Sequence, residues 1–447
     1  MKRRAFVFII TLATLVALVG AVSFAASSAE SSFKARRNRM EKREADLAIQ
    51  AAIQNAMATL ANVGTTTTGS ETLGTTSTTP GGGAAGTATD TDETQDWYTL
   101  GTTGADVFHI GNITFREQIL DACSLVNLNT APEAQLLQLP LTQQQIDSLL
   151  DWISAGETPR PEGAKDSFYN SLTNPYNAHL MPLTSLDELL QVQGFTPATL
   201  FQPQQTVSGN VITNDDGTQA TLYDLCTVDS QSKSSGTNIN TATLQQLVRS
   251  GVSQQNAARL TGQTTPPTRR TNFTTMGAVL RDLTGAASIR DATVILNNYQ
   301  VGTTPTQTGL ININTAPDTV LNTLPGMTTG IAQGIVGMQQ SGITSLGSVT
   351  SISGVTLPVL AQFVDSITVN STRYIVRIEA TAGSTTESAE AIVDTSGTNP
   401  LLIRTATPPY SDMTSQWNWN AAANDIALDS SSGTTNPTGS STSGGQN

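Results

Sequence analysis

The first 60 residues constrain this chain more than any other part. After Met-Lys-Arg-Arg, residues Ala5 to Ala26 form a run of 22 without a charge. That length crosses a bilayer as a helix and leaves three cations on one side. A cleaved secretory signal is the rival reading, because Ser23-Phe24-Ala25 offers small residues around a cut. Such a signal is followed by a break in structure, yet no proline and only Gly20 fall between Met1 and Val63. Instead the pattern becomes amphipathic. Ile49, Ile53, Met57 and Leu60 recur at three- and four-residue steps beside Ala48, Ala52 and Ala56, while Arg39, Lys42, Arg43 and Glu44 stay polar. The two halves predict one helix over 6–60, about 80 Å long at 1.5 Å per residue.

Beyond Val63 the Thr/Gly-rich stretch 64–96 cannot bury enough apolar surface to fold and reads as a flexible loop. Residues 97–126 are strand-like, with "VFHIGNITFREQIL" mixing β-branched and aromatic residues among polar ones. The long segment 127–370 is mostly helical, with one strand expected at 220–228. Period two returns at 373–383 and 387–396, separated by a few turn residues, so 371–407 predicts a hairpin and a third strand over 401–407. The Ser/Gly/Thr-rich tail 408–447 has no apolar pattern; Trp417 and Trp419 in it read as exposed, with docking onto the body as the alternative. The fold class is therefore α+β: a long N-terminal helix packed on a small antiparallel sheet, with a large all-α domain inserted in the sheet connection. That arrangement requires 107–126 and 373–396 to share one sheet.

Three stretches inside the insert repeat an apolar-Asn-apolar-Asn-Thr-Ala start: "VNLNTAPEAQLLQLP" (126–140), "TNINTATLQQLVRSG" (237–251) and "INTAPDTVLNTLPGM" (313–327, preceded by Ile311-Asn312). Thr130 and Thr315 are the expected helix caps, with Pro132 and Pro317 in the first turn and Glu133 reaching back. Leu136, Leu137 and Leu139, or Val320, Leu321 and Leu324, give a short buried face. A second helix follows through Ile146, Leu149, Leu150 and Ile153, or Ile331, Ile335 and Met338. These are helix-hairpin-helix (SAM-like) units, a type best known for cradling DNA phosphates on hairpin N–H groups with nearby cations.

The charge pattern argues against that use. Nine of the 22 basic residues precede position 44, and from 126 onward there are 12 basic and 23 acidic residues, a balance of −11. A nucleic-acid face is basic, because neutralised phosphates supply most of its affinity. The first hairpin, "LPLTQQQ", has neither glycine nor cation; the second has Arg249 before Gly251; the third keeps Gly326, but no basic residue lies between Leu310 and Thr372. A packing role is the better reading. Catalysis is not expected either. His109 and His179 stand without metal-ligand spacing, no nucleophile elbow occurs, and Asp147 and Asp151, one turn apart, read as a solvated helix face. Cys123 and Cys226 cannot build a four-ligand zinc site; they are either two buried thiols or one disulfide closing a loop of roughly 100 residues.

The segment 149–195, "LLDWISAGETPRPEGAKDSFYNSLTNPYNAHLMPLTSLDELLQVQGF", resembles the K-type minor pseudopilin family of type II secretion. The shared elements run in order: the N-L-N-T-A helix start, the leucine-aspartate-tryptophan turn, R-P-x-G-A-x-D-S, P-Y, and P-L-x-S-x-D-E-L before an apolar-x-G. The resemblance implies a prepilin-type leader over 1–5, cut between Ala5 and Phe6 with N-methylation of Phe6. It also implies a transmembrane part over 6–26 and an amphipathic periplasmic part over 27–63. Ala5 replaces the usual glycine, and Ile10 stands where most pilins place an acid; the K type lacks that acid. Implied partners are the I- and J-type minor pseudopilins, the inner-membrane assembly platform and prepilin peptidase, with no nucleic acid. The implied role is at the tip of a periplasmic pseudopilus anchored in the bacterial inner membrane. Calcium is a further implied ligand, with Asp166, Asp187, Glu188, Asp215 and Asp216 as oxygen-rich candidates. The other readings are a competence-type membrane-tethered DNA receptor, a minor pilin of a related type IV pilus, and a secreted adhesin.

Overall fold

The structure is a computed structural model that describes residues 2–61, 63, 97–98, 107–214, 217–234, 236–408, 417 and 425–427, with backbone only for 2–11 and 425–427. The loop expected at 64–96, Trp419 and most of the 408–447 tail lie outside the described residues. Helix α1 is unbroken from Lys2 to Leu60. From Leu12 to Phe33 its apolar side chains are bare, Phe24 being 77% exposed. The helix is long and apolar enough there to cross a membrane.

The second half of α1 is packed instead. Ala45, Ala48, Ile49, Ala52, Ile53, Ala56 and Leu60 are buried against one face of a sheet. The alanines let backbone approach backbone, while burying Ile49, Ile53 and Leu60 contributes about 1.5–3 kcal/mol each. The sheet's strands are β1 (Val107–Ile110), β2 (Ile113–Asp121), β3 (Arg373–Ala382), β4 (Thr385–Asp394), β5 (Leu401–Ala406) and β6 (Asp425–Ala427). Their spatial order is β5-β4-β3-β2-β1-β6, antiparallel except for β6 beside β1. The expected sharing of one sheet is found: β2 pairs with β3, Ile119 opposite Val376, although 107–121 is itself a hairpin rather than one strand. Phe115, Ile119, Tyr374, Val376 and Ile378 face α1, with Trp97 edge-on to Tyr374 at 5.1 Å.

Two polar fixtures set the height of the sheet along α1. At the β3–β4 turn, Ser384 donates its N–H (3.1 Å) and hydroxyl (2.7 Å) to Glu41, which also accepts from Arg37 at 2.5 Å. The Arg37 hydrogen bond first, then those from Ser384, hold the Glu41 carboxyl down at about 2. Further along, Asn55 donates to buried Glu117 at 2.5 Å. The β3–β4 turn is thus the end of the sheet nearer the apolar half of α1. The long insert leaves at Asp121 and returns at Arg373, at the opposite, remote end.

That insert is not all-α. Between its short helices stand four two-residue ladders. Three of them close three successive units. Val126 pairs in parallel with Cys226, Thr237 with Tyr299, and Ile311 with Ile367. Each repeat start is therefore bound to a strand that follows the last helix of the same unit. The fourth ladder joins the two linkers, Ser232 opposite Gln307. The strand expected over 220–228 is instead a helical turn, Leu222–Leu225, followed by the two-residue strand Cys226–Thr227.

Candidate functional site

Within the first unit, Thr142 and Gln145 form the capping box that starts the helix Gln143–Ile153. Its Asp147 and Asp151 are 4% and 2% exposed, so the solvated-face expectation is corrected. They grip the segment 160–165. Asp151 accepts the Arg160 N–H at 2.9 Å, and Asp147 accepts that of Glu162 at 3.1 Å. Gly163 is required here, because a Cβ would fall 2.8 Å from the Asp151 carboxyl carbon. Lys165 caps the helix's end, its Nζ donating to the carbonyls of Asp151 (2.5 Å) and Ser154 (2.7 Å), where the helix dipole favours a cation. Burial pushes the Asp151 carboxyl up, against the pull of the Arg160 N–H. Trp152 donates Nε1 to Glu188 at 2.8 Å and meets Tyr169 edge-on at 5.2 Å. Burial raises the Tyr169 phenol to about 12. These residues are folding instructions: every polar atom of the R-P-E-G-A-K-D-S motif named here is spent on fixing its own loop.

The Asn-x-Asn pairs do equivalent work in all three units. The first asparagine's Oδ1 accepts the N–H of the second: Asn127 from Asn129 at 2.9 Å, Asn238 from Asn240 at 3.0 Å, Asn312 from Asn314 at 3.1 Å. The second asparagine then holds both backbone groups of one distant residue: Leu183 for Asn129, Phe273 for Asn240, Ile343 for Asn314. A side-chain amide satisfies a buried N–H and C=O together, replacing a strand neighbour. Asp121, at the end of β2, accepts from Asn312 (2.8 Å) and Thr315 (2.7 Å) and so ties the third unit to the sheet. Thr130 and Thr315 are not the helix caps expected of them. The helices start later, behind Pro132 and Pro317, because the Asn127 and Asn312 carbonyls hold the Thr-Ala step in a turn of its own.

The remaining expected sites are dispersed. Gly326 has φ +79°, and its missing Cβ would sit 2.9 Å from that of Gln362, whose side chain packs against the hairpin, so the glycine answers a turn and a close approach. Cys123 and Cys226 are both buried free thiols, so the disulfide alternative is not formed; Cys123 Sγ instead donates to the Gln231 carbonyl at 3.3 Å. Burial raises both thiols. Among the described residues no three acidic, His or Cys side chains gather around a point. Asp166 accepts the Ala178 N–H and Glu188 accepts from Trp152 and Thr184, while Asp215 and Asp216 lie outside the described residues. Asp166, Asp187 and Glu188 do not by themselves form a calcium cage. His109 lies on β1, and His179 stands apart from it beside Trp152. The backbone of Ala5 and Phe6 lies within α1.

Trp417 corrects the exposed-tail expectation: it is 1% exposed, and its Nε1 donates to the Tyr223 hydroxyl at 3.0 Å. Tyr223 in turn donates to Glu390 on β4, and the Arg377 guanidinium lies 5.0 Å from the Tyr223 ring and 5.9 Å from that of Trp417. This cluster seats the first unit on the reverse face of the sheet.

Fold and site together define a structural class: a stalk helix half sheathed by an antiparallel sheet, with bulky units hung from the sheet's end. Residues 133–208 match the family described as type II secretion system (T2SS), protein K. No curated protein matches the chain. A chain in the crystal structure of the GspK-GspI-GspJ complex from the enterotoxigenic Escherichia coli type 2 secretion system is similar at 15% identity. The match covers 84% of this chain and 99% of that one, with a TM-score of 0.42, a likeness too low to carry an argument.

Proposed function

We propose that this chain is a minor pseudopilin that initiates and caps the periplasmic pseudopilus of a type II secretion system, and that it performs no catalysis. The observation that carries the reading is α1, unbroken from Lys2 to Leu60, bare in its first half and sheathed in its second. A bare apolar helix needs lipid before assembly and neighbouring stalks after it. In this reading residues 6–26 span the inner membrane once, and the rest lies in the periplasm. The units between Asp121 and Arg373 occupy the end of the sheet where a subunit stacked above would sit, which favours a terminal position. Ile10 fits the same position: a tip subunit meets no N-terminal amine of a neighbour above, so an acid there would stay unpaired in an apolar core. Other minor pseudopilins, of the I and J types, are the proposed partners, with the assembly platform and prepilin peptidase acting earlier.

The test is N-terminal sequencing of the chain purified from membranes of a host with the secretion machinery. A start at N-methylated Phe6 is expected; a start near Ala26 would mean a cleaved signal and would end the pseudopilin reading.

A further inference from the structure

The second unit differs from its neighbours in charge. Residues 237–300 hold six arginines, no lysine and two aspartates, a balance of +4, whereas 126–227 carries −9, 311–368 carries −2, and the chain −13. The arginines are not spread evenly over the unit. A depression of about 310 Å³ is lined by Thr271, Asn272, Phe273, Arg281 and Asp282, among others. Arg259, at the end of the helix Gln254–Thr261, reaches Asp282 through Nε at 3.0 Å and is 47% exposed. Exposed Arg269 and half-buried Arg270 lead directly into Thr271 at the rim. The loop carrying them folds back, Thr268 N–H donating to the Gly262 carbonyl at 3.1 Å.

Two of these guanidinium groups are held by backbone carbonyls. Arg270 donates to the carbonyls of Ile239 (2.7 Å) and Ala242 (2.8 Å), and Arg281 to that of Ala361 at 3.1 Å. A guanidinium has five donors, so fixing it by one or two leaves the rest of its fork for a ligand at reduced entropic cost. Among the lining residues Asp282 is the one acid, set against the positive charges around the depression.

We infer that this depression is a docking site for an acidic polypeptide segment of a partner protein, with carboxylates entering between Arg259, Arg269 and Arg281. Arginine forks suit carboxylate and phosphate alike, but two features favour protein over nucleic acid. Phe273 and Ala278 also line the depression, an arginine-plus-apolar mixture typical of protein interfaces. The overall charge of −13 repels an extended polyanion at long range, while a short acidic segment senses mainly the local patch. The site does not depend on where the chain sits in a filament.

Binding of a fluorescein-labelled oligoglutamate peptide to the full chain in detergent micelles tests this. Saturable binding at low salt is expected, falling steeply as salt screens it. The double variant Arg269→Glu/Arg281→Glu should weaken it by about tenfold or more. Arg281→Lys keeps the charge and should retain most binding, which separates charge loss from misfolding. Lys233→Glu, outside the patch, should leave binding unchanged. The proposal is overturned by absence of saturable binding, by equal binding to the double variant, or by equal loss on Lys233→Glu. It is also overturned if a DNA duplex, or vesicles containing phosphatidylglycerol, bind through the same arginines more tightly than the peptide does.

Discussion

The sheathed stalk and the three-unit insert are built on opposite plans. The stalk's sheet joins β2 to β3 across 253 to 269 positions and α1 to β3 across more than 300, with β2 also packed on α1, through a broad apolar face. Each unit instead closes on itself through a two-residue ladder and an asparagine clamp, between residues 29 to 100 apart. Loop closure makes long-range pairing costly until the apolar face is complete. The sheet's stability therefore depends on the insert ending where it began, whereas each unit is closed by its own hydrogen bonds and shares one apolar core with the other two. The contrast predicts separable damage.

The largest expected effect is from Ile119→Asp, which buries a charge between α1 and the sheet and costs about 4 kcal/mol or more. Hydrogen exchange should rise across 113–121 and 373–394 while the three units keep their protection; a uniform collapse of all four regions would show that the two plans are not independent. Asn314→Ala removes both bonds to Ile343 and the one to Val369, leaving buried backbone groups unsatisfied at about 3 kcal/mol. Because Asn312 and Thr315 also anchor the third unit to Asp121, and Asp365 of the third unit accepts the Met276 and Gly277 N–H groups of the second, the exchange signature should reach Asp121 and 276–282 but spare the β3–β4 turn.

Gly163→Ala is smaller, about 1–3 kcal/mol of overpacking against Asp151, and should expose the 160–166 loop to protease without altering the sheet. The smallest expected effect is that of acid on Glu41. Its carboxyl is lowered in the fold from 4.5 to about 2, so the stability it contributes is present above pH 4.5 and is lost as pH falls through about 2. Glu41→Gln should flatten that part of the acid profile, read as exchange at the β3–β4 turn. An unchanged profile would mean that the turn is held by packing alone.

The parts legible in the sequence were those governed by neighbours along the chain. Helical period and the absence of proline determined α1; alternation determined the β3–β4 hairpin; the Asn-x-Asn-Thr-Ala starts and the R-P-x-G-A-x-D-S order announced three units and one family segment. Local pattern gave no partner for any of them. That Leu183, Phe273 and Ile343 are the clamped residues follows from where the chain returns. Their shared setting (Leu183-Thr184-Ser185, Phe273-Thr274-Thr275, Ile343-Thr344-Ser345) is a signal that becomes readable only once the clamps are known. Asp147 and Asp151 looked solvated because their ligands are backbone N–H groups, which carry no signature in a sequence. Trp417 looked exposed because its site is assembled from Tyr223 and Arg377, on two separate elements. The sequence alone determined the long helix, the β3–β4 hairpin and the three repeat starts, since those depend on periodicity over a few turns. Tertiary structure alone decided which polar groups are buried and paired, since desolvation is set by whatever distant surface arrives to cover them.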